Sequence, residues 1–268
     1  MIEVIKQQFA KDAPTEERLN RTREFLQLLC LNILYDKGHF ERLAFTGGTA
    51  LRVVYGLRRF SEDIDFSLLH KKGYSFPAVS DDLLKELHLS GLKAESKPKY
   101  EKTVHSTMLK FPGILKEVGV SALKDQKLSI KLDVDTNPPQ GGKVEHSLIQ
   151  KTHIFSVTHF DLASLFATKL HACFYRSYIK GRDIYDFIWY LARKVEPDFV
   201  LLNNAIRQTQ GKDPGICKEK FRDFLLRGFE KVDFTAARKD VERFLEDKNE
   251  LKLFDKERIQ SHIRVAYG

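Results

Sequence analysis

The sequence predicts an α/β (α+β) chain in which a mixed sheet with helices occupies residues 1–158 and a helical domain occupies 159–268. Three observations predict it. Runs at 63–68 and 128–135 alternate apolar and polar residues with the period of two that a half-buried strand requires, and a short apolar run lies at 43–45. Stretches at 14–37 and through most of 160–265 carry apolar stripes of helical period. Between them, Asn137-Pro-Pro-Gln-Gly-Gly142 is the strongest breaker in the chain.

The elements follow in order. Residues 14–37 read as a helix, with Leu19, Phe25, Leu26, Leu28, Leu29, Ile33 and Leu34 on a broad stripe and Thr15 opening it before two acids. A strand at 43–45 runs into Thr46-Gly47-Gly48-Thr49, and a helix follows at 50–55. A polar turn at 58–62 leads to the strand at 63–68, then a polar helix spans 79–89. Residues 92–136 are strand-rich, and a further strand lies at 154–157. Helices are expected at about 160–177, 183–194, 198–208, 217–229, 234–246 and 255–265. No repeat or low-complexity segment interrupts them.

The 268 residues are 42% hydrophobic and 31% charged, with only 15 Gly and 8 Pro, which excludes a disordered or collagen-like chain. The net charge of +8 permits a polyanionic partner. Nine Lys against four acids fall within residues 91–131, a segment suited either to an RNA backbone or to keeping a solvated sheet edge from pairing. Cys30, Cys173 and Cys217 are far apart and form no C-x-x-C pair, so neither a disulfide framework nor a zinc cluster is expected. The amino terminus lacks the pattern of a signal peptide, and no apolar run reaches the roughly 20 residues that cross a bilayer. The expectation is a soluble protein of the reducing cytoplasm with no membrane partner.

The chemistry concentrates between Thr46 and Ser67. A Gly-Gly pair between strand and helix suits a tight turn, and equally a close approach of backbone N–H groups to phosphate. Alternation puts Ile64, Phe66 and Leu68 on one face and Ser61, Asp63, Asp65 and Ser67 on the other. Two carboxylates on one strand face repel unless they are solvated or neutralised, and Mg²⁺ takes one or two carboxylates plus substrate phosphates. Asp133 and Asp135 repeat the pattern beside Lys131, and either would supply a third acid if brought alongside. Lys169 lies within the apolar stripe of Leu162, Leu165, Phe166 and Cys173, with Arg176 one heptad on; it either snorkels or faces a cleft. Asp183 and Asp186 open the next helix beside its core stripe, as caps or as site residues.

The run Phe45-Thr-Gly-Gly-Thr-Ala-Leu-Arg52, followed by Arg59-Phe-Ser-Glu-Asp63-Ile-Asp65-Phe66, resembles the AbiEii/AbiGii (MenT-like) toxins. These belong to the DNA polymerase beta-like nucleotidyltransferase superfamily. Lys169-Leu-His-Ala and Arg182-Asp183-Ile-Tyr-Asp186 resemble the later motifs of that family, and the likeness spans about residues 40–190. The helical tail after about residue 195 matches no motif.

The resemblance implies a mixed-sheet nucleotidyltransferase core. It implies that Gly47, Gly48 and Thr49 cradle a triphosphate near Ser61, that Asp63 and Asp65 ligate Mg²⁺ or Mn²⁺, and that Asp133 is the third metal ligand. Lys169 would contact nucleotide phosphate and Asp183 would be an essential polar residue, the helical domain contributing both to the cleft. The implied activity is transfer of a nucleoside monophosphate from an NTP to an acceptor hydroxyl, with an RNA such as the tRNA 3′ end as acceptor and a cognate antitoxin as partner. Transfer to a protein or an antibiotic-like small molecule, and an inactive nucleotide- or antitoxin-binding module, are the alternatives.

Overall fold

The computed structural model describes residues 1–176 and 178–268, and they divide into two compact units. The first comprises residues 1–56, 60–138 and 145–159; the second comprises 57–59, 139–144 and 160–268.

The first unit is built on strands β1 (Leu43–Thr46), β2 (Ile64–Leu68), β3 (Pro98–Tyr100), β4 (Val104–Pro112), β5 (Lys127–Asp135), β6 (Val144–Gln150) and β7 (Ile154–Phe160). They form one sheet in the order β3-β4-β5-β2-β1-β7-β6. The sheet is mixed: β2 runs parallel to β5 and β1 parallel to β7, whereas β1–β2, β3–β4 and β4–β5 are antiparallel. The alternation in β2 and β5 fixes their register, because a slip by one residue would bury the acids and expose Ile64, Phe66, Ile130, Leu132 and Val134, all now buried. Helix α1 (Ile2–Lys6) and strand β6 carry no clear periodic signal and were not expected; β6 is largely exposed, so its sequence has no apolar face to reveal it.

Helix α2 (Thr15–Asp36) follows its expected span and buries Phe25, Leu26, Leu29, Ile33 and Leu34. Helix α3 (Gly47–Tyr55) starts earlier than expected, at the glycine pair itself. It is tied to α2 by Arg52, whose Nε donates to Glu24 at 2.5 Å while its guanidinium lies 4.1 Å from the centre of the Phe60 ring. Burial would raise the Glu24 pKa, but the Arg52 hydrogen bond and charge outweigh it and hold the carboxyl below its usual range. Helices α4 (Phe76–Leu89) and α5 (Ile114–Glu117) complete the unit.

The second unit holds α6 (Leu162–Tyr175), α7 (Gly181–Ala192), α8 (Phe199–Gln210), α9 (Lys218–Phe229), α10 (Phe234–Val241) and α11 (Lys256–Ala266). Their positions follow the apolar stripes within a few residues. The expected end of the first at 177 lies outside the described residues. The interior is aromatic, with Phe166 stacked on Tyr190 at 4.2 Å and Phe187 at 4.4 Å from Phe229. Asp161, Asp198, Asp233 and Asp255 each cap a helix by accepting a backbone N–H of its first turn, which explains where α6, α8, α10 and α11 begin.

Candidate active site

In the first unit, pairing places Thr46 opposite Asp65, Asp65 beside Asp133, and Asp133 opposite Ser106. Residues in register across neighbouring strands share a face. The two acids therefore meet in one transverse row at the centre of the sheet. Strand β2 begins only at Ile64, so Ser61 and Asp63 are positioned by the preceding loop and not by strand alternation. That loop is held from two sides. Gln27 donates to the Ser61 carbonyl at 3.2 Å, and the buried Thr49 hydroxyl donates to the Asp63 carbonyl.

The glycine pair lies directly against this row. Gly47 has φ of +75°, which disfavours any side chain, and a Cβ there would strike the Asp65 carboxylate. Thr46 is the N-cap of α3 but makes no side-chain cap, so the first backbone N–H groups of that helix are not occupied by it. Lys131 Nζ donates to Asp133 Oδ2 at 2.6 Å. Burial lowers the Lys131 pKa, yet Asp133, Asp63 and Asp65 together raise it above its ordinary value, so all three acids act on one ammonium. The other Asp133 oxygen, Oδ1, is buried without a hydrogen-bond partner. Asp135 differs: it accepts the Asn137 N–H at 2.9 Å, closing the turn after β5, and burial raises its pKa.

Among the described residues, no group of three or more His, Cys, Asp or Glu side chains is arranged to hold a metal by itself. The residues nevertheless fit a magnesium ion that completes its shell with substrate phosphates. Two carboxylates stand in register, one carboxylate oxygen lacks a hydrogen-bond partner, and glycine at 47 lets the Asp65 carboxylate lie against the start of α3.

The second unit gathers a different set. Arg59 donates twice to Asp186, through Nε and Nη2, each at 2.6 Å. Lys169 Nζ lies 2.8 Å from both Asp183 and Asp186, and Arg176 reaches Asp183 at 3.6 Å. Arg59, Asp183 and Asp186 are buried, and the Lys169 side chain is 11% exposed. Burial pushes the Lys169 pKa down and the Asp183 pKa up, but the mutual attraction reverses both, raising Lys169 and depressing Asp183. Asp183 and Asp186 are thus ion partners in the helical core. Neither caps α7, whose N-cap is Lys180. Arg59 had no local signature, because its partner is 127 positions away in sequence.

The comparison with known families decides the identity. The family model for the nucleotidyl transferase AbiEii toxin of type IV toxin–antitoxin systems matches residues 30–259. The chain belongs to this family. An AbiEii nucleotidyltransferase therefore has both units within its family pattern, and the match runs well past residue 195, where the motifs stop. None of the curated proteins compared with it matches. Among solved structures, it is similar to JHP933 from Helicobacter pylori, at 18% identity and a TM-score of 0.53 over 92% of this chain and 91% of that one. A second H. pylori structure, described as a candidate nucleotidyltransferase, aligns at 18% identity and a TM-score of 0.55 over 97% and 96% of the two chains. At that identity the likeness speaks for the fold alone. No helix among the described residues is long and apolar enough to cross a membrane.

Proposed function

We propose that this AbiEii protein uses Mg²⁺ or Mn²⁺ to transfer a nucleoside monophosphate from an NTP to the hydroxyl of an RNA, with a tRNA 3′ end as the acceptor and an antitoxin protein as its partner. The observation that carries this is the in-register pair Asp65 and Asp133 beside Gly47, with Asp133 Oδ1 lacking a partner. Asp65 and Asp133, with Asp63 from the adjoining loop, would hold the divalent ion, which would supply charge neutralisation for the triphosphate and a more acidic acceptor hydroxyl. Backbone N–H groups at Gly47, Gly48 and Thr49 orient phosphate oxygens at the amino end of α3. Ser61 adds a hydroxyl from the same loop. The acceptor oxygen bonds to the α-phosphorus as the α–β bridging bond breaks, and pyrophosphate leaves. In this reading a carboxylate of the row takes the hydroxyl proton.

Lys169 and Asp183 contribute differently from a free phosphate-binding lysine. The Lys169 ammonium is already compensated by two carboxylates, so its role in this reading is to hold Asp183 and the α6–α7 pair in position. The reading is tested by incubating the protein with α-³²P-labelled NTPs and total RNA, cell protein or an aminoglycoside in parallel. Labelled RNA that vanishes in Asp63→Ala and Asp65→Ala is expected. Unchanged labelling by both variants would falsify the assignment, and label in protein or drug alone would transfer it to that acceptor.

A further inference from the structure

The second unit contains an open cavity of about 870 Å³, within the range of ligand-binding clefts. One wall is the carboxyl end of α6 with Arg176, Tyr178 and Ile179; the other is α9 and the turn beyond. On α9, Lys220, Phe224 and Arg227 recur at spacings of four and three, and Lys231 follows four residues on. Within α9 that spacing puts Lys220, Phe224 and Arg227 on one face, and Lys231, in the turn beyond, also lines the cavity. Lys220, Arg227 and Lys231 are exposed. Among the described residues none of the three has a carboxylate within ion-pair distance.

The opposite wall supplies rings. Phe174 meets Phe224 edge to face at 5.4 Å, and Gly228 on α9 leaves space for it, since a Cβ there would fall 2.6 Å from the Phe174 ring. Tyr175 is stacked on His171, but Tyr178 stands 63% exposed at the rim. Arg176 also lines the cavity, with its charge partly met by Asp183 at 3.6 Å. Two acids also line the cavity, and one of them, Asp233, is engaged as the cap of α10. An acidic protein would use the cations and leave the rings without a purpose. Phosphates with flat, unpaired bases use both.

We propose that this cavity is a binding groove for single-stranded RNA, with Lys220, Arg227 and Lys231 on the phosphates and Tyr178 stacking on a base. It rests on the acceptor reading above only in the choice of RNA as the polyanion. It assigns a use to the helical tail, for which the sequence motifs offer none. The groove holds the strand by charge and stacking, without base-edge selection.

The test is fluorescence anisotropy of the full chain with fluorescein-labelled octauridylate and octaadenylate over a salt series, with polyglutamate as a competitor. Replacing Lys220, Arg227 and Lys231 together by Ala should weaken binding at least tenfold and reduce the log–log salt slope by about 2, at roughly 0.7 per phosphate contact on a single strand. Tyr178→Ala should weaken binding by roughly tenfold with the slope unchanged. Arg227→Lys should bind as the parent does, and Asp65→Ala, which lies in the other unit, should retain oligonucleotide binding. Parent-like affinity in the triple variant overturns the proposal, as does competition by polyglutamate that equals RNA and ignores Tyr178. If no RNA is labelled by NTP yet the triple variant loses oligonucleotide binding, the transfer reading fails and the groove stands. If labelling is normal and the triple variant binds normally, the groove fails and the transfer reading stands.

Discussion

The two units hold their acids in opposite ways. In the first, Asp65 and Asp133 share a sheet face, and Lys131, which donates to Asp133, is 42% exposed. In the second, Asp183 and Asp186 are buried and face Lys169 and Arg59 at hydrogen-bonding distance. On the proposed reading the acid row takes a cation from outside. The buried carboxylates of the second unit already face cations of the chain itself. On that reading the difference separates chemistry from architecture among residues that look alike in sequence.

The sharpest way to break this contrast is to truncate one acid of each kind. Asp186→Ala strands Arg59 in the interior and should cost about 3–5 kcal/mol in urea unfolding, whereas Arg59→Met with Asp186→Leu should recover most of it. Asp65→Ala should change stability by less than about 1 kcal/mol, because it leaves no buried arginine beside the vacated position. Equal losses for Asp186→Ala and Asp65→Ala would erase the distinction. In transfer assays the ranking inverts: Asp133→Ala should lose at least about a hundredfold in rate, while Asp135→Ala, whose carboxylate closes a turn, should lose less than about tenfold.

Acid titration distinguishes the units next. Asp183 is held below its ordinary pKa, so the folded state binds its proton less readily than the unfolded chain does. Its stabilisation is complete above the unfolded pKa, near 4, and is lost as pH falls through the lower folded value. Asp183→Asn should be less stable at neutral pH and should flatten the acid limb of a stability–pH curve, by up to about 1.4 kcal/mol per pH unit. An unchanged acid limb would remove Asp183 from the ion cluster.

Smaller effects probe the open row. Lys131→Met removes the resident counter-charge, so the Mg²⁺ concentration for half-maximal transfer should fall by about three- to tenfold. A rise instead would make Lys131 a helper of metal binding and not a competitor. Smallest of all, iodoacetamide should label Cys217 alone in the native protein. Cys30 is fully buried with its thiol pushed up to about 12, and Cys173 is buried beside Asp183 with its thiol raised as well. Appearance of Cys173 label in Asp186→Ala, without Cys30 label, would report opening of the second unit by itself.

Much of the fold was legible because it is written in local periods. The stripes of α2 and α6 to α11 and the alternation of β2 and β5 each need only a short window. What escaped had no such pattern: β6 buries almost nothing, α1 is five residues long, and the start of α3 depends on a glycine in the left-handed region. At the site, sequence alone supplied the acids, the glycines and their family. It left Asp133 and Asp135 equivalent and allowed Asp183 to be a cap.

Sequence by itself determined which residues alternate, which stretches carry helical stripes, and the AbiEii family to which the chain belongs. Only the tertiary structure decided which charges meet. Strand pairing set Asp133 beside Asp65 and left Asp135 to its turn, and Arg59 found Asp186 across 127 positions. The physical reason is range. Periodicity and capping act within a few residues, whereas the balance of a buried ion cluster or an acid row depends on neighbours that only folding brings together.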